Sequence, residues 1–403
     1  MQMLLSFIIG LLTARYLGPD NYGLINYAAA YVSFFASLCN LGINSIIVKN
    51  FVDHPEEEGK TIGTAIVLRI GSSFLSALMI IGIVSVIDRG ETLTIVVVAL
   101  SSISVIFQVL DTLNYWFQTR LMSKYSAIAA TVAYIAVSAY KVLLLILQKD
   151  VRWFAVANTI DYIVIGLFLL YVYRKKGGPT FSFSLDKGRE LLQKSSSFIL
   201  AGMMVSIYAC TDRFMLKQML DEASVGYYSL AVSISNMWVF ILSAIIDSMY
   251  PVIMELHSRD YDAYNKKNKQ LYAIVFYTAL TASAGISVLA NLIVKILYGE
   301  AFLPAVLPLR IVVWYTAFSY LGVARNAWIV SENKQRKLKY IYIFSAAINV
   351  ILNLILIPFW GAAGAAIASL VTQISTVVLI PYWIQELRPN VRMMIDAVRL
   401  KDI

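Results

Sequence analysis

Long apolar stretches separated by short polar loops run along almost the whole chain. Stretches of about 18 or more apolar residues are long enough to cross a bilayer as helices. Counting them, and including a shorter first stretch, predicts twelve membrane spans. The predicted spans are Met1 to Ala14, Leu24 to Val48, Ile62 to Ile87, Thr92 to Gln118, Tyr125 to Leu147, Val151 to Tyr173, Ser195 to Leu220, Val225 to Ile253, Leu271 to Leu297, Leu303 to Val330, Tyr340 to Ile357 and Gly361 to Ile384.

Composition points to the same class of protein. Of the 403 residues, 59% are hydrophobic and only 14% are charged, whereas soluble domains carry about 25% charged residues. The sequence therefore predicts an all-α integral membrane protein. No cleavable signal peptide is apparent, so insertion is expected to depend on the first spans. Met1 to Ala14 would form only about 20 Å of helix, so we expect the complete first span to begin upstream.

Lysines and arginines are unevenly distributed between the two sides of the predicted bundle. Alternate loops and the tail carry most of them, with the densest cluster between Arg174 and Lys194. By the positive-inside rule this side is cytoplasmic, and with an even number of spans both termini lie there. Membrane topology therefore accounts for the formal net charge of +9, and a nucleic-acid partner is not expected.

The stretch from Ser195 to Leu220 differs from the other spans because it carries Asp212, Arg213 and Lys217 in its second half. Charged side chains are costly in contact with lipid, so this helix is expected to line a hydrated space. It follows the most basic loop and stands near the middle of the chain. We interpret it as the first helix of a second, repeated half.

Internal similarity supports a duplication. An offset of 203 residues places Gly23 against Gly226, and the paired stretches read LGPDNYGLINYAAAYVSF and LDEASVGYYSLAVSISNM. Six spans plus six give two halves of the same polarity, which is a parallel repeat. The predicted regions are a first six-helix lobe (1–175), a basic cytoplasmic linker (176–194), a second six-helix lobe (195–385) and a cytoplasmic tail (386–403).

Three motifs carry a resemblance to a known family. They read ARYLGPDNYGLINYA at Ala14 to Ala28, DRFML at Asp212 to Leu216 followed by VGYYSLA, and NVILNLILIPFWGAAGAAIAS at Asn349 to Ser369. Together they resemble the polysaccharide repeat-unit flippases, which translocate O-antigen, capsule and exopolysaccharide precursors. These flippases belong to the multidrug/oligosaccharidyl-lipid/polysaccharide exporter (MOP) superfamily. The chain departs from the family pattern in its short first span and in ending soon after the twelfth.

The resemblance implies two six-helix lobes around a central cavity that opens alternately to the two sides of a bacterial cell membrane. The implied substrate is an undecaprenyl-diphosphate-linked oligosaccharide, which moves from the cytoplasmic to the outer leaflet during lipopolysaccharide or exopolysaccharide biosynthesis. Membrane lipids, a coupling ion (H⁺ or Na⁺) and a polysaccharide polymerase are the implied partners. Neither a cofactor nor an enzymatic activity is expected.

Charged residues within the predicted spans are the candidates for substrate and ion contact. Basic residues outnumber acidic ones there, and a net cationic interior suits a diphosphate, whose oxygens arginine can bind in bidentate fashion. The cations expected to contact substrate are Arg15, Arg69, Lys141, Arg213, Arg310 and Arg325. The carboxylates expected to bind the coupling ion are Asp111, Asp161 and Asp212.

Each candidate has a structural alternative. Cations near span ends can act as interfacial anchors, which is the better interpretation for Lys217. Each aspartate can instead be the partner of an arginine in another helix. Ser345, Asn349 and Asn353 form a polar stripe for which hydrogen bonding between helices is favoured over sugar contact.

Other classes of protein are less consistent with the sequence. A multidrug or cation antiporter of the same superfamily is the main alternative, but a net anionic cavity would be expected there. A membrane glycan polymerase or ligase would need a larger outer loop. No glycine-rich phosphate loop points to ATP use. The two cysteines lie in spans and the two histidines in separate loops, so neither a disulfide nor a metal site is expected.

Overall fold

The computed structural model describes residues 2–401, except for the side chains of residues 2–4, 45, 197, 198, 200–202, 204, 205 and 208. The described part is almost entirely helical and contains no β-strand, which confirms the all-α prediction. Its helices are α1 (Gln2–Cys39), α2 (Asn44–Asp53), α3 (Glu58–Ile87), α4 (Thr92–Phe107), α5 (Leu113–Thr119), α6 (Ser123–Ile146), α7 (Val151–Ala155), α8 (Ala157–Lys175), α9 (Leu185–Met219), α10 (Glu222–Asn236), α11 (Phe240–Arg259), α12 (Tyr261–Ile293), α13 (Val306–Val312), α14 (Tyr315–Ser331), α15 (Leu338–Ile374), α16 (Ile380–Trp383) and α17 (Arg388–Val398).

Short irregular turns interrupt or extend several of these helices. A 3₁₀ turn at Gln108–Thr112 joins α4 to α5, and a π turn at Ser375–Leu379 joins α15 to α16. The remaining turns of these types are Pro55–Glu57, Val294–Tyr298, Glu300–Ala305 and Gln335–Lys337.

Membrane-spanning helices are abundant in the described residues. Eight helical segments are long and apolar enough to cross a bilayer, and a ninth consists of Glu300–Val312 and Tyr315–Ser331 bent by 43°. Both α1 and α15 contain a break, at Gly18 (φ 71°) and Gly361 (φ 57°), where the sequence predicts two separate spans. Positive φ is readily adopted only by glycine. The helices are therefore consistent with twelve spans and establish a multispan membrane protein.

The chain forms two compact units. Unit 1 comprises the residues before Gly18 together with Leu24–Cys210, and unit 2 comprises Gly18–Gly23 together with the residues from Thr211 onward. The division falls within α9. The boundaries predicted for the lobes, linker and tail stay a prediction.

An aromatic cluster lies in the core of unit 1. Trp116 packs edge-on against Phe117 and Tyr173, with ring centroids 5.1 and 4.7 Å apart. Its indole N–H donates to Oε2 of the buried Glu58 at 3.1 Å, and the same oxygen accepts from Arg120 at 2.7 Å. The guanidinium of Arg120 in turn lies over the Trp116 ring. Apolar packing and an ion pair between the buried Glu58 and the exposed Arg120 therefore fix this end of α3, α5 and α8.

The basic linker is bound to α3 within unit 1. The amide of Ser182 donates to the carbonyl of Gly59 at 3.1 Å. Lys187 forms ion pairs with Glu57 at 2.9 Å and with Glu190 at 3.3 Å. The hydrogen bond from Lys187 lowers the pKa of Glu57. Burial alone would lower the pKa of Lys187, but its bonds to the two glutamates outweigh this and raise it. Both groups therefore stay ionised near neutral pH.

The tail folds onto unit 2. Its helix α17 buries Val391 and Met394 and packs along α12, where Nδ2 of Asn390 donates to the hydroxyl of Tyr272 at 2.7 Å. Val391, Met394, Ile395 and Val398 recur at helical spacing, which predicts a helix with an apolar face on the cytoplasmic surface. The structure shows that this face meets protein.

Two glycines related by the 203-residue offset contact each other within unit 2. A methyl group added to Gly23 would lie 1.8 Å from the carbonyl oxygen of Glu222, and one added to Gly226 would lie 2.3 Å from that of Pro19. Pro19 and Glu222 are themselves related by the same offset. The contact is therefore reciprocal, since each glycine meets a backbone carbonyl of the other copy of the motif.

Replacing Gly23 or Gly226 with alanine is expected to destabilise the protein, because each methyl group would collide with rigid backbone, and overpacking costs about 1–3 kcal/mol. Thermal unfolding of the purified protein in detergent measures this. Gly10→Ala and Gly285→Ala are matched controls, since a methyl group at either site meets no atom within 4 Å. Unfolding of the Gly23 and Gly226 variants at the temperature of these controls would contradict the close contact.

Candidate functional site

A buried carboxylate, Asp212, lies at the centre of a polar cluster in unit 2. Asp212 is only 6% exposed. Its Oδ1 accepts hydrogen bonds from Nδ2 of Asn353 at 2.6 Å and of Asn349 at 3.2 Å. Its Oδ2 accepts from the hydroxyl of Ser369 at 2.5 Å and from that of Tyr228. These five residues are called the Asp212 cluster below.

The break at Gly361 makes this cluster possible. Asn349 and Asn353 are four residues apart and therefore share one face of α15. In an uninterrupted helix Ser369 would lie about 24 Å beyond Asn353 at 1.5 Å per residue, yet both bind the same carboxylate. The chain therefore folds back at Gly361.

The donors around Asp212 are all neutral. Within the described residues, no lysine or arginine forms an ion pair with this carboxylate. The buried Oδ1 of Asn353 has no hydrogen-bond donor among the described residues. The cluster thus gathers a carboxylate, an amide oxygen and two hydroxyls. Such oxygen atoms suit a hard cation, and the carboxylate can alternatively accept a proton.

The two cations that follow Asp212 on α9 have different surroundings. The Nε of Arg213 donates to the hydroxyl of Ser229 at 3.1 Å. Its two terminal amino groups form no hydrogen bond in the described part of the chain. Lys217 is buried and pairs with Glu222 at 2.9 Å. Arg213 therefore keeps donors for a ligand, whereas Lys217 has a structural carboxylate partner.

Arg69 is fully enclosed in unit 1, with 1% of its surface exposed. It donates to the hydroxyl of Thr112 at 2.7 Å, to the carbonyl of Gln108 at 3.3 Å and to the amide oxygen of Asn40. Gln108 begins the 3₁₀ turn between α4 and α5. Arg69 therefore holds this irregular turn against the end of α1.

Three further predicted residues lie near Arg69 or one another. Asp111 interacts electrostatically with Arg69 and accepts from Nδ2 of Asn114 at 2.7 Å. Asp161 is attracted electrostatically by Lys141 and repelled by Asp111. The structure thus brings Arg69, Asp111, Asp161 and Lys141 into one electrostatically linked set within unit 1.

The remaining predicted cations are placed very differently. Arg15 on α1 and Arg310 on α13 are exposed, and neither side chain forms an ion pair or hydrogen bond with any described residue. Arg325 on α14 is 2% exposed, and its one hydrogen bond in the described structure goes to the carbonyl of Thr376 at 3.3 Å. The role predicted for each of these cations in binding substrate stays a prediction.

The candidate residues predicted from the sequence do not include Tyr228 and Ser369, because they were chosen mainly among charged residues. A signal was nevertheless present, because Tyr228 belongs to VGYYSLA and Ser369 ends the motif that begins at Asn349. All five residues of the Asp212 cluster thus fall in the second and third family-like motifs. No group of three or more His, Cys, Asp or Glu side chains that could hold a metal ion occurs among the described residues.

The fold matches that of MOP-superfamily transporters. An inward-facing multidrug resistance MATE transporter of this superfamily superimposes with a TM-score of 0.73, over 98% of this chain and 96% of that chain, at 16% identity. The lipid II flippase MurJ in an inward closed conformation gives a TM-score of 0.73, over 98% of this chain and 88% of that chain, also at 16% identity. Similarity at this level of identity establishes the fold alone.

Sequence comparison assigns the family. The polysaccharide biosynthesis protein family matches residues 1–257, and the chain belongs to it. A probable flippase, AglR of Haloferax volcanii, is 29% identical over 45% of this chain and 40% of its own length. The lipid II flippase MurJ of Bacillus subtilis is 24% identical over 51% of this chain and 42% of its own length. The matched regions thus span less than half of either relative.

Asp212→Asn is expected to destabilise the protein by about 2 kcal/mol, because its amide nitrogen would face side chains that donate hydrogen bonds. Exchanging the two groups, in Asp212→Asn with Asn353→Asp, is expected to restore part of this loss. Thermal unfolding in detergent measures both effects. Asp247→Asn, at an exposed carboxylate of the same unit, is the control. Equal stability of the Asp212 and Asp247 variants would contradict the cluster.

Proposed function

We propose that this protein is a flippase that moves polyprenyl-diphosphate-linked oligosaccharides from the cytoplasmic to the outer leaflet of a cell membrane. The observation that carries the proposal is that three cations expected to contact substrate, Arg15, Arg213 and Arg310, have terminal N–H donors that bind no group of the described structure. Family membership and the two flippase relatives support the same function.

The chemistry of these arginines suits a diphosphate. A guanidinium is permanently charged and presents paired N–H donors that match two phosphate oxygens. Since no carboxylate of the described residues occupies these donors, a diphosphate would meet no competing anion there. In the proposed mechanism, each of these arginines can bind phosphate oxygens of the headgroup while the lipid chain stays in the hydrocarbon.

Cation uptake at the Asp212 cluster is the proposed energy source. A buried carboxylate whose hydrogen-bond donors in the described structure are all neutral is suited to binding H⁺ or Na⁺. Binding would neutralise the cluster and favour a different packing of α9, α10 and α15. A ligand shifts such an equilibrium only through its differential affinity for the two states.

A multidrug antiporter is the second candidate, and the TM-score of 0.73 to a MATE transporter supports it. An organic cation would be repelled by unpaired arginines, whereas a diphosphate would be attracted. The three arginines without a bound acceptor on their terminal N–H groups are therefore the feature that favours the flippase.

Flipping of a fluorescent polyprenyl-diphosphate oligosaccharide in proteoliposomes tests the proposal. Arg15→Gln, Arg213→Gln and Arg310→Gln are each expected to slow flipping about tenfold or more, since a charge-assisted hydrogen bond contributes about 1.5–3 kcal/mol. Arg259→Gln is the control, because Arg259 is exposed and already pairs with Glu255.

Two outcomes would contradict the flippase. One is unchanged flipping in all three variants. The other is transport of organic cations by the wild-type protein with no movement of the labelled lipid, which would instead identify the antiporter.

A further inference from the structure

Arg325 is a buried cation with few partners. It lies on α14 with 2% of its surface exposed. A guanidinium has five N–H donors and stays protonated in proteins. It donates a single hydrogen bond in the described structure, to the carbonyl of Thr376 at 3.3 Å. Its Nε is buried and has no acceptor among the described residues.

The groups around Arg325 do not neutralise it. The side chains that interact with it electrostatically are Tyr342 and Tyr272, and neither is a carboxylate. Tyr272 accepts a hydrogen bond from Asn390, so the hydrogen of its hydroxyl is free to be donated. No carboxylate of the described chain forms an ion pair with Arg325.

A second donor without an acceptor lies on the same helix. Trp328 is three residues beyond Arg325 and thus near the same face of α14. It is 3% exposed, and its indole Nε1 is buried without a hydrogen-bond acceptor among the described residues. The buried amide oxygens of Asn268 and Asn390 bond to neither donor. Arg325 and Trp328 therefore present more buried N–H donors than the described residues bind with acceptors.

Arg69 provides the contrast within the same protein. It is equally buried, and its Nε also lacks an acceptor in the described structure. Three oxygen atoms nevertheless accept hydrogen bonds from its terminal amino groups, and Asp111 lies close enough to interact electrostatically. An unpaired buried charge is strongly destabilising. Protein groups offset most of this cost for Arg69, whereas Arg325 has a single carbonyl acceptor in the described structure.

We propose that Arg325 binds a small inorganic anion, of which chloride is the abundant example. The guanidinium supplies the charge, and the indole N–H of Trp328 and the hydroxyl of Tyr272 add neutral donors. The near-complete burial of Arg325 restricts the site to a small ion. The anion neutralises the charge of Arg325 and thereby stabilises the packing of α14 against the π turn at Ser375–Leu379. This site is separate from the Asp212 cluster and does not depend on the proposed substrate.

Thermal unfolding of the purified full chain tests the site, with sodium chloride compared with sodium gluconate at equal ionic strength. Chloride is expected to raise the unfolding temperature of the wild type by several degrees. Trp328→Phe is expected to weaken the apparent chloride affinity severalfold, and Arg325→Gln to abolish the chloride effect. Arg259→Gln, at an exposed arginine, is expected to keep it.

Equal unfolding temperatures of the wild type in chloride and gluconate would overturn the proposal, as would an unchanged chloride effect in Arg325→Gln. If Arg325→Gln does not fold, anomalous diffraction from wild-type crystals grown in bromide decides. A bromide peak within hydrogen-bond distance of the Arg325 guanidinium is expected. Its absence would overturn the proposal.

Discussion

A charged side chain within a bilayer must be solvated by the protein, because hydrocarbon offers it no partner. This constraint organises the interior of both units. Asp212 receives hydrogen bonds from four neutral side chains, and Arg69 donates to three oxygen atoms. Each of these bonds joins two different elements of the fold. Solvating the charges therefore also fixes how the helices pack.

The same constraint explains where the helices are irregular. Carbonyls at a 3₁₀ or π turn deviate from the regular α-helical hydrogen-bond ladder. Arg69 binds the carbonyl of Gln108 in one such turn, and Arg325 binds that of Thr376 in another. A buried guanidinium thus stabilises an irregular turn in each unit.

Much of the fold could be predicted because hydrophobic length and glycine position are local properties of the sequence. The separate spans predicted on either side of Gly18 and Gly361 correspond to breaks in α1 and α15. Reasoning on single helices could not reveal the partners of Arg69, since Asn40 and Thr112 lie 29 and 43 residues away on other elements. It also could not decide whether the apolar face of α17 meets lipid or protein.

The stripe of Asn349 and Asn353 shows what a sequence pattern can predict and what it cannot. Its spacing predicted hydrogen bonding between helices, but not that both amides bind a carboxylate 137 and 141 residues away. Our account assigns the uptake of a coupling cation to that carboxylate, Asp212. The most direct test is to measure flipping of labelled lipid-linked oligosaccharide in proteoliposomes under an imposed Na⁺ or proton gradient. We predict that one of these gradients accelerates flipping by the wild-type protein and has no effect on Asp212→Asn. Equal acceleration of both proteins, or none of the wild type, would contradict the account.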